Sequence, residues 1–256
     1  MKIFLSAIEN QRDSKANGGT HAAKLLVDHG VKMKWNLMSY YYLRKNMAVA
    51  EMVRDNSELI LIDSGAHSFQ KGVHVKWEEY TEQYAEFIRH FDRPNVLGYF
   101  EMDVDNVIGY DAVKSLRSRL ERVTDKVIPV WHKNRGIDDF KAMCDRYAGR
   151  IVAITGFKNE DIRDDQYMLF LDYAHSKGCK VHCLGMTRKK VLDKVPFDYS
   201  DSSSWVQDTL YGKINGRKVT REQTTVRRGE SIIYSYLGAM EMQRYYHRKW
   251  QSVCRD

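Results

Sequence analysis

Carboxylate residues stand at the ends of several short apolar runs in this 256-residue sequence. Asp63 closes "LILID", Asp103 and Asp105 follow "VLGYFEM", and Asp201 follows "FDYS". A carboxylate at the end of a buried strand can reach a cleft, where it can take part in catalysis. An Asp before Ser-Gly, as at Asp63, is also a common turn former or helix cap, because its oxygens accept hydrogen bonds from nearby backbone amides.

Two histidines and two glycines occupy similar positions. They are His132 in "PVWHK", Gly156 in "ITGF", and His182 and Gly185 in "VHCLGM". If His182 lies on a strand, its two neighbours point to the opposite face, which favours a packed, hydrogen-bonded histidine. His132 either lines the mouth of a site or ends a strand, and the glycines either relieve crowding or let a flat ligand approach the backbone.

Metal chemistry is a weaker alternative for these residues. A metal-dependent hydrolase would use His132, His182 and the aspartates, but the sequence has no HxH or HxxxH ligand pair. The four cysteines lack the paired CxxC spacing of a zinc ribbon, and they indicate reduced thiols. The sequence therefore predicts neither a metal nor a cofactor.

Seven apolar runs are expected to form buried strands, because most of them are rich in β-branched or aromatic residues. They cover residues 2–8, 58–65, 96–103, 126–133, 150–157, 180–187 and 196–203. Helical patterns lie between strands at 77–91, 109–123, 137–148 and 164–178. This alternation predicts a parallel sheet.

The number of strands favours a closed barrel. We expect an α/β fold with a single domain over residues 1–256, a (β/α)8 TIM-type barrel followed by a C-terminal helix at about 229–252. The eighth strand is not evident, and 212–220 is a candidate. An open, doubly wound sheet is the alternative.

Composition limits the classes of partner and compartment. Lys and Arg number 41 against 34 Asp and Glu, which gives a net charge of +7 and favours polyanionic partners, although ordinary solubility charge explains the excess equally well. No segment approaches the roughly 18 apolar residues that span a bilayer, and no signal peptide is evident. We expect a cytoplasmic protein without a membrane partner.

A family resemblance rests on several of these motifs taken together. "LIDSGAHSFQ" resembles the Asp-Ser-Gly-Gly-Phe-Gln motif of the tRNA-guanine transglycosylases, with extra residues before Phe-Gln. "PVWH", "HCLGMT", "YSDSSSW" and "LYGKI" follow in the order seen in the phage-type members, which place 7-deazaguanine derivatives in DNA. The resemblance covers roughly residues 58–214.

The resemblance implies a role for each carboxylate. Asp201 would be the nucleophile that attacks the sugar C1′ and forms a glycosyl-enzyme intermediate, and Asp63 would be the general acid and base. Asp103 would read the purine edge, with Asp105 as the second candidate. Gly156 and Phe157 would contact the base.

Other residues near these carboxylates are expected to complete a substrate pocket. His132, His182 and Gly185 come from neighbouring strand ends. Ser202 and the two serines after it are placed to hold the Asp201 carboxylate, and Trp205 would either wall the pocket or pack in the core.

The chain departs from the cellular transglycosylases after the nucleophile strand. Cys254 is the only cysteine beyond Asp201, so the zinc subdomain of those enzymes is missing, which disfavours tRNA as the substrate. The segment 213–228 instead carries six basic residues and one acid. Its residues Lys213, Arg217, Lys218, Arg221, Arg227 and Arg228 are predicted to contact a phosphate backbone.

The predicted activity is thus exchange of guanine in nucleic acid, DNA rather than tRNA, for a 7-deazaguanine base. A phage-encoded enzyme of this kind would work in the host cytoplasm. Two alternatives remain, a tRNA-guanine transglycosylase and a catalytically silent nucleic-acid-binding subunit that partners an active homologue. The oligomeric state is not predicted.

Overall fold

The fold is a nearly closed barrel of nine parallel strands that alternate with helices along the chain. This architecture is seen in a computed structural model that describes residues 1–13, 19–69, 75–155, 162–210, 213–214, 217–218 and 228–254, with the backbone alone for 208–210, 213–214, 217–218 and 228. It is that of a TIM-like barrel, and the open doubly wound sheet is excluded.

The barrel strands run in the order β5-β4-β3-β2-β1-β9-β8-β7-β6. Their bounds are β1 Lys2–Ser6, β2 Met33–Ser39, β3 Ser57–Asp63, β4 Val96–Phe100, β5 Val127–Ile128, β6 Val130–Trp131, β7 Ile151–Thr155, β8 Lys180–Leu184 and β9 Tyr199–Ser202. A separate antiparallel pair is formed by β10 Lys213–Ile214 and β11 Arg217–Lys218.

Eleven α-helices are present in the described part of the chain. They are α1 Ala22–Asp28, α2 Tyr40–Leu43, α3 Met47–Asp55, α4 Trp77–Phe91, α5 Asp105–Ile108, α6 Tyr110–Glu121, α7 Gly136–Arg146, α8 Tyr167–Ser176, α9 Lys189–Leu192, α10 Ser204–Leu210 and α11 Arg228–Trp250. Among these described helices, each is too short or too polar to cross a bilayer.

The barrel is interrupted between β5 and β6 by Pro129, which has no N–H to donate to a neighbouring strand. The Glu101 side chain bridges this interruption. Its Oε1 accepts from Val130 N–H at 2.6 Å, its backbone N–H donates to Ile128 O at 3.1 Å, and its Oε2 accepts from Arg117 Nε at 2.5 Å. Because Glu101 and Arg117 are both buried, this ion pair fixes the strand end that leads to Asp103.

Alternation along the strands separates two apolar layers. Phe4, Leu61, Phe100 and Tyr199 belong to the cluster that fills the barrel interior. The residues between them on each strand face the helices and join two outer clusters. Asp63 follows the inward-facing Leu61 by two positions, and Asp201 follows Tyr199 in the same way, so both carboxylates share the inward face.

One strand was misplaced by the sequence analysis. The candidate 212–220 is wrong, because its described residues form the separate pair β10 and β11, while the additional barrel strand is β2. Polar residues such as Lys34 and Asn36 interrupt the apolar pattern of β2. Asn36 is nevertheless fully buried, where it donates to Ser57 Oγ at 3.0 Å and accepts from Tyr236 of α11 at 2.8 Å.

Helix α11 covers most of the predicted C-terminal helix and packs against the start of the barrel. Gln243, which is completely buried, donates through Nε2 to the carbonyls of Ile3 at 2.8 Å and Trp35 at 2.9 Å. Strands β1 and β2 pair directly only at Leu5 and Ser6. The side chain of Gln243 therefore joins the two strands where their own ladder is absent.

Candidate active site

A cavity of about 740 Å³ opens where the carboxyl ends of the barrel strands meet. Residues from different strand ends line it, among them Ser6, Ser39, Asp63, Asp103, His132 and Asp201. The carboxyl ends of parallel strands converge in such a barrel because the loops that follow them lie on one face. The structure thus brings together the carboxylates that sequence reasoning placed at strand ends.

Asp201 lies in β9, and three donors orient its carboxylate. His182 Nε2 lies 3.0 Å from Oδ1, Gly185 N–H donates to Oδ1 at 2.8 Å, and Ser6 Oγ donates to Oδ2 at 3.2 Å. Gly185 has a φ of 63°, in the left-handed region that glycine adopts without strain. These contacts hold the carboxylate in one rotamer with its face toward the cavity.

His182 projects from β8 into the barrel interior and is fully buried. Its ring packs edge-on against Phe100, with 5.0 Å between ring centroids, and lies 6.3 Å from the ring of Phe4. The hydrogen bond to Asp201 requires the proton on Nε2. His182 does not line the cavity, so it acts on a ligand only through Asp201.

Asp63 ends β3 in a different environment. Gly65 N–H donates to its Oδ2 at 2.9 Å, which is the turn-forming contact expected of an Asp before Ser-Gly. A Cβ at Gly65 would lie 2.4 Å from Tyr41 Cβ, so this tight turn requires glycine. Burial raises the pKa of Asp63 to about 6, and the nearby Asp103 and Asp201 also raise it. Asp63 can therefore hold a proton close to neutral pH.

Asp103 lies between two histidines. His132 Nε2 is 2.5 Å from its Oδ1, and His67 Nε2 is 3.0 Å from its Oδ2. Burial alone would raise the pKa of Asp103, but the hydrogen bonds from both histidines hold it well below its usual range. Burial likewise acts to lower the pKa of His132, yet the bond to Asp103 outweighs it and raises that pKa to about 9.

Asp105 lies beside the guanidinium group of Arg135. Its Oδ2 lies 3.7 Å from Arg135 Nε and 3.4 Å from Asn134 Nδ2. Asp105 begins α5, and it is not among the residues that line the cavity. Asp103 is therefore the better placed of the two candidates for ligand contact.

A possible metal-binding group overlaps this part of the site. Ligand atoms of Asp103, Asp105 and His132 all lie within 4.8 Å of one another, a geometry that a divalent cation can use. The sequence search for HxH and HxxxH pairs missed this group because its residues come from two separate strand ends. His182 is not part of it.

Besides Asp105 and His182, two further residues proposed for the substrate pocket lie outside the cavity lining. Ser202 does not hold Asp201, because alternation turns it to the opposite face of β9, where its Oγ bonds Ser204 Oγ at 2.9 Å and accepts from Ser204 N–H at the start of α10. Trp205 is 3% exposed and packs edge-on against Tyr236 in the core. Its Nε1 donates to Ser6 O at 2.9 Å, so it supports the strand end behind the cavity.

The other residues predicted to contact a substrate lie outside the described residues or in segments where only the backbone is described. Gly156 and Phe157 lie outside the described residues, although Thr155 before them lines the cavity. Lys213 belongs to β10, and Arg217 and Lys218 belong to β11, where only the backbone is described. Arg228 begins α11, while Arg221 and Arg227 are outside the described residues.

Sequence reasoning missed Ser6, Ser39, Glu9 and His67. Ser6 and Ser39 are the last residues of β1 and β2. The strand-end rule, by which polar residues at the carboxyl ends of barrel strands are candidates for the site, finds both once β2 is recognised and β1 is ended at Ser6. His67 lies in the "SGAHSF" segment after β3, where no helical or strand periodicity marks it as a site residue. Glu9 follows a left-handed Ala7, with a φ of 70°, and no local pattern announces such a turn.

No protein-family model matches the chain, and no curated protein matches it significantly in sequence.

Proposed function

We propose that the protein is a base-exchange transglycosylase that replaces guanine in nucleic acid, with DNA favoured over tRNA, by a 7-deazaguanine derivative. One observation carries the proposal. Two carboxylates face the same cavity, Asp201 oriented by three donors and Asp63 partly buried with a pKa raised to about 6. Pairs of carboxyl groups in unlike environments are how one site supplies both a nucleophile and an acid.

The proposed fold is a single-domain (β/α)8 barrel. Strands β5 and β6 are separated by Pro129 alone, and each pairs with a different neighbour. Counting them as one interrupted strand gives the eight parallel strands of a TIM-type barrel.

The reaction proceeds in two halves. Asp201 forms a bond to the sugar C1′ while the glycosidic bond to guanine breaks, and protonated Asp63 gives its proton to the leaving base. The Asp63 carboxylate then takes a proton from the incoming base, whose nitrogen attacks C1′ and releases Asp201. Each half restores the protonation state that the other consumes.

Asp103 is the proposed base-reading group. Each of its oxygens bonds one histidine, and each keeps a second lone pair that can accept from the N1–H and amino group of a purine. His67 and His132 keep this carboxylate ionised, which makes it an acceptor only. An ionised carboxylate can only accept hydrogen bonds, so it favours a guanine-type edge, which presents N–H donors, over a base edge that presents acceptor atoms.

The polymer would be held by the basic segment 213–228 that follows the nucleophile strand. Its six cations can neutralise phosphates without reading the sequence. Supplying labelled guanine together with either DNA or tRNA tests both the reaction and the polymer. We expect label in DNA, whereas label in tRNA alone would reverse the choice of substrate. Binding of either polymer without label would favour the silent-subunit alternative.

A second candidate function, metal-dependent hydrolysis, is favoured only by the group of Asp103, Asp105 and His132. If exchange is correct, dialysis against a chelator leaves the rate unchanged and added Mn²⁺ or Zn²⁺ does not raise it. One tightly bound metal per chain, with activity lost on chelation, would support hydrolysis instead. Elemental analysis of the purified protein decides between the two.

A further inference from the structure

Asp63 and Asp201 divide the ring of strand ends into two arcs. The long arc runs from β3 through β4, β5, β6, β7 and β8 to β9, and it carries Asp103 and His132. The short arc runs from β3 through β2 and β1 to β9. If the base binds at Asp103 and its C1′ lies between the two carboxylates, the sugar must extend toward the short arc.

Glu9 and Ser39 line the cavity on this short arc. Ser39 ends β2 directly beside Asp63 in the parallel register. Glu9 lies in the turn after β1, and its Oε1 accepts from Ser39 N–H at 3.0 Å. The left-handed conformation of Ala7, which a non-glycine residue adopts only at a cost, sets the direction of this turn.

Two buried polar atoms of this pair have no hydrogen-bond partner among the described residues. They are Glu9 Oε2 and Ser39 Oγ, and Glu9 as a whole is 7% exposed. A buried polar atom without a partner costs free energy, so such atoms beside a cavity indicate a ligand that supplies the missing bonds.

We propose that Glu9 and Ser39 form a subsite that binds the sugar oxygens of the target nucleotide, with Glu9 as a neutral carboxylic acid. This inference rests on the proposed function, which places the base on the long arc. Burial raises the pKa of Glu9 to about 7, and the negative charge of Asp63 adds to this rise. A neutral acid can donate to a sugar oxygen, and it does not repel the neighbouring phosphates as a carboxylate would.

The test measures two Michaelis constants in the exchange assay, one for the polymer and one for the free base. Ser39→Ala should raise the KM for DNA about five- to tenfold, the effect of one lost hydrogen bond, and leave the KM for guanine unchanged. Ser64→Ala is the matched control. The hydroxyl of Ser64, directly after the end of β3, is also buried and has no hydrogen-bond partner among the described residues, but Ser64 does not line the cavity.

Two variants of Glu9 test its neutral form. Glu9→Gln keeps a donor and should stay within about twofold of the wild type, whereas Glu9→Ala should raise the KM for DNA as Ser39→Ala does. A Gln variant as weak as the Ala variant would overturn the neutral-acid assignment.

The outcomes distinguish this inference from the proposed function. If the wild type incorporates guanine but Ser39→Ala changes neither KM, or changes both equally, the subsite is wrong while the transglycosylase stands. If the wild type incorporates guanine into neither DNA nor tRNA, the proposed function fails and the subsite fails with it.

Discussion

Asp63 and Asp201 lie at or next to the ends of their strands and on the same face of one barrel, yet their surroundings differ. Asp201 receives hydrogen bonds from His182, Gly185 and Ser6. Asp63 receives only the turn bond from Gly65 among the described residues, and it is held in a setting that raises its pKa. The type of residue is the same, so only the environment distinguishes the roles proposed for the two carboxylates.

The difference lies in the strands that flank each carboxylate. Asp201 sits between β1 and β8, whose ends supply a hydroxyl, an imidazole and a backbone amide. Asp63 sits between β2 and β4, where burial is the main cause of its raised pKa and the negative charge of Asp103 adds to it. Donors orient a carboxylate for nucleophilic attack, whereas burial and neighbouring negative charge favour a protonated acid.

The sharpest way to break this comparison is to remove the proposed nucleophile. Asp201→Asn is nearly isosteric but cannot form the glycosyl ester, so we expect guanine incorporation to be abolished. Label incorporation and capture of the covalent protein–nucleic acid adduct on a denaturing gel measure the effect. An unchanged circular dichroism spectrum serves as the control, and wild-type turnover would contradict the nucleophile role.

Removing the proposed general acid should have a smaller effect. Asp63→Asn cannot transfer a proton, and proton transfer by a positioned group typically contributes about 10² to 10⁴ in rate. We expect the turnover measured at saturating substrate to decrease by a factor of about 10² to 10⁴. A loss of less than about fivefold would leave Asp63 with only its turn-forming contact to Gly65.

The pH dependence of the first half-reaction sharpens the assignment of Asp63. The group must be protonated to assist the leaving base, and its pKa is raised to about 6, so the rate should be greatest below pH 6 and decline above it. Between pH 6 and pH 8 the protonated fraction falls roughly 50-fold. Single-turnover release of guanine measures this decline, and a rate that rises across this interval would contradict the acid role.

The smallest expected effect concerns the orientation of Asp201. His182→Leu has no donor and removes one hydrogen bond to the Asp201 carboxylate, which should lower kcat by about tenfold with little change in the KM for guanine. His175→Leu is the matched control, because His175 bonds Asp198 at 2.8 Å and neither residue lines the cavity. Equal losses in both variants, accompanied by equal drops in Tm, would indicate a purely structural role.

Sequence reasoning located the carboxylates because the strand-end rule depends only on the position of each strand. Asp63, Asp103, His132, Gly185 and Asp201 all reach the cavity. The rule failed for β2, because the buried Asn36 of that strand has its polar atoms satisfied by partners distant in sequence. No local window of sequence contains those partners.

The serines after Asp201 show a second limit. Their proximity to the nucleophile in sequence suggested contact, but side chains alternate along a strand, so the neighbour of an inward residue faces outward. Ser202 therefore serves the first turn of α10, and the hydroxyl that reaches Asp201 comes from Ser6, 195 positions away. Contacts of this kind follow from closure of the barrel and not from adjacency.

The contact of Gln243 with β1 and β2 has a consequence for biosynthesis. The carbonyls of Ile3 and Trp35 emerge early from the ribosome, but the amide that satisfies both belongs to a helix made more than 200 residues later. Until α11 is synthesised, these two carbonyls must keep water or a chaperone as their partner. This contact between the first two barrel strands thus forms only after the helix that follows the last barrel strand has been made.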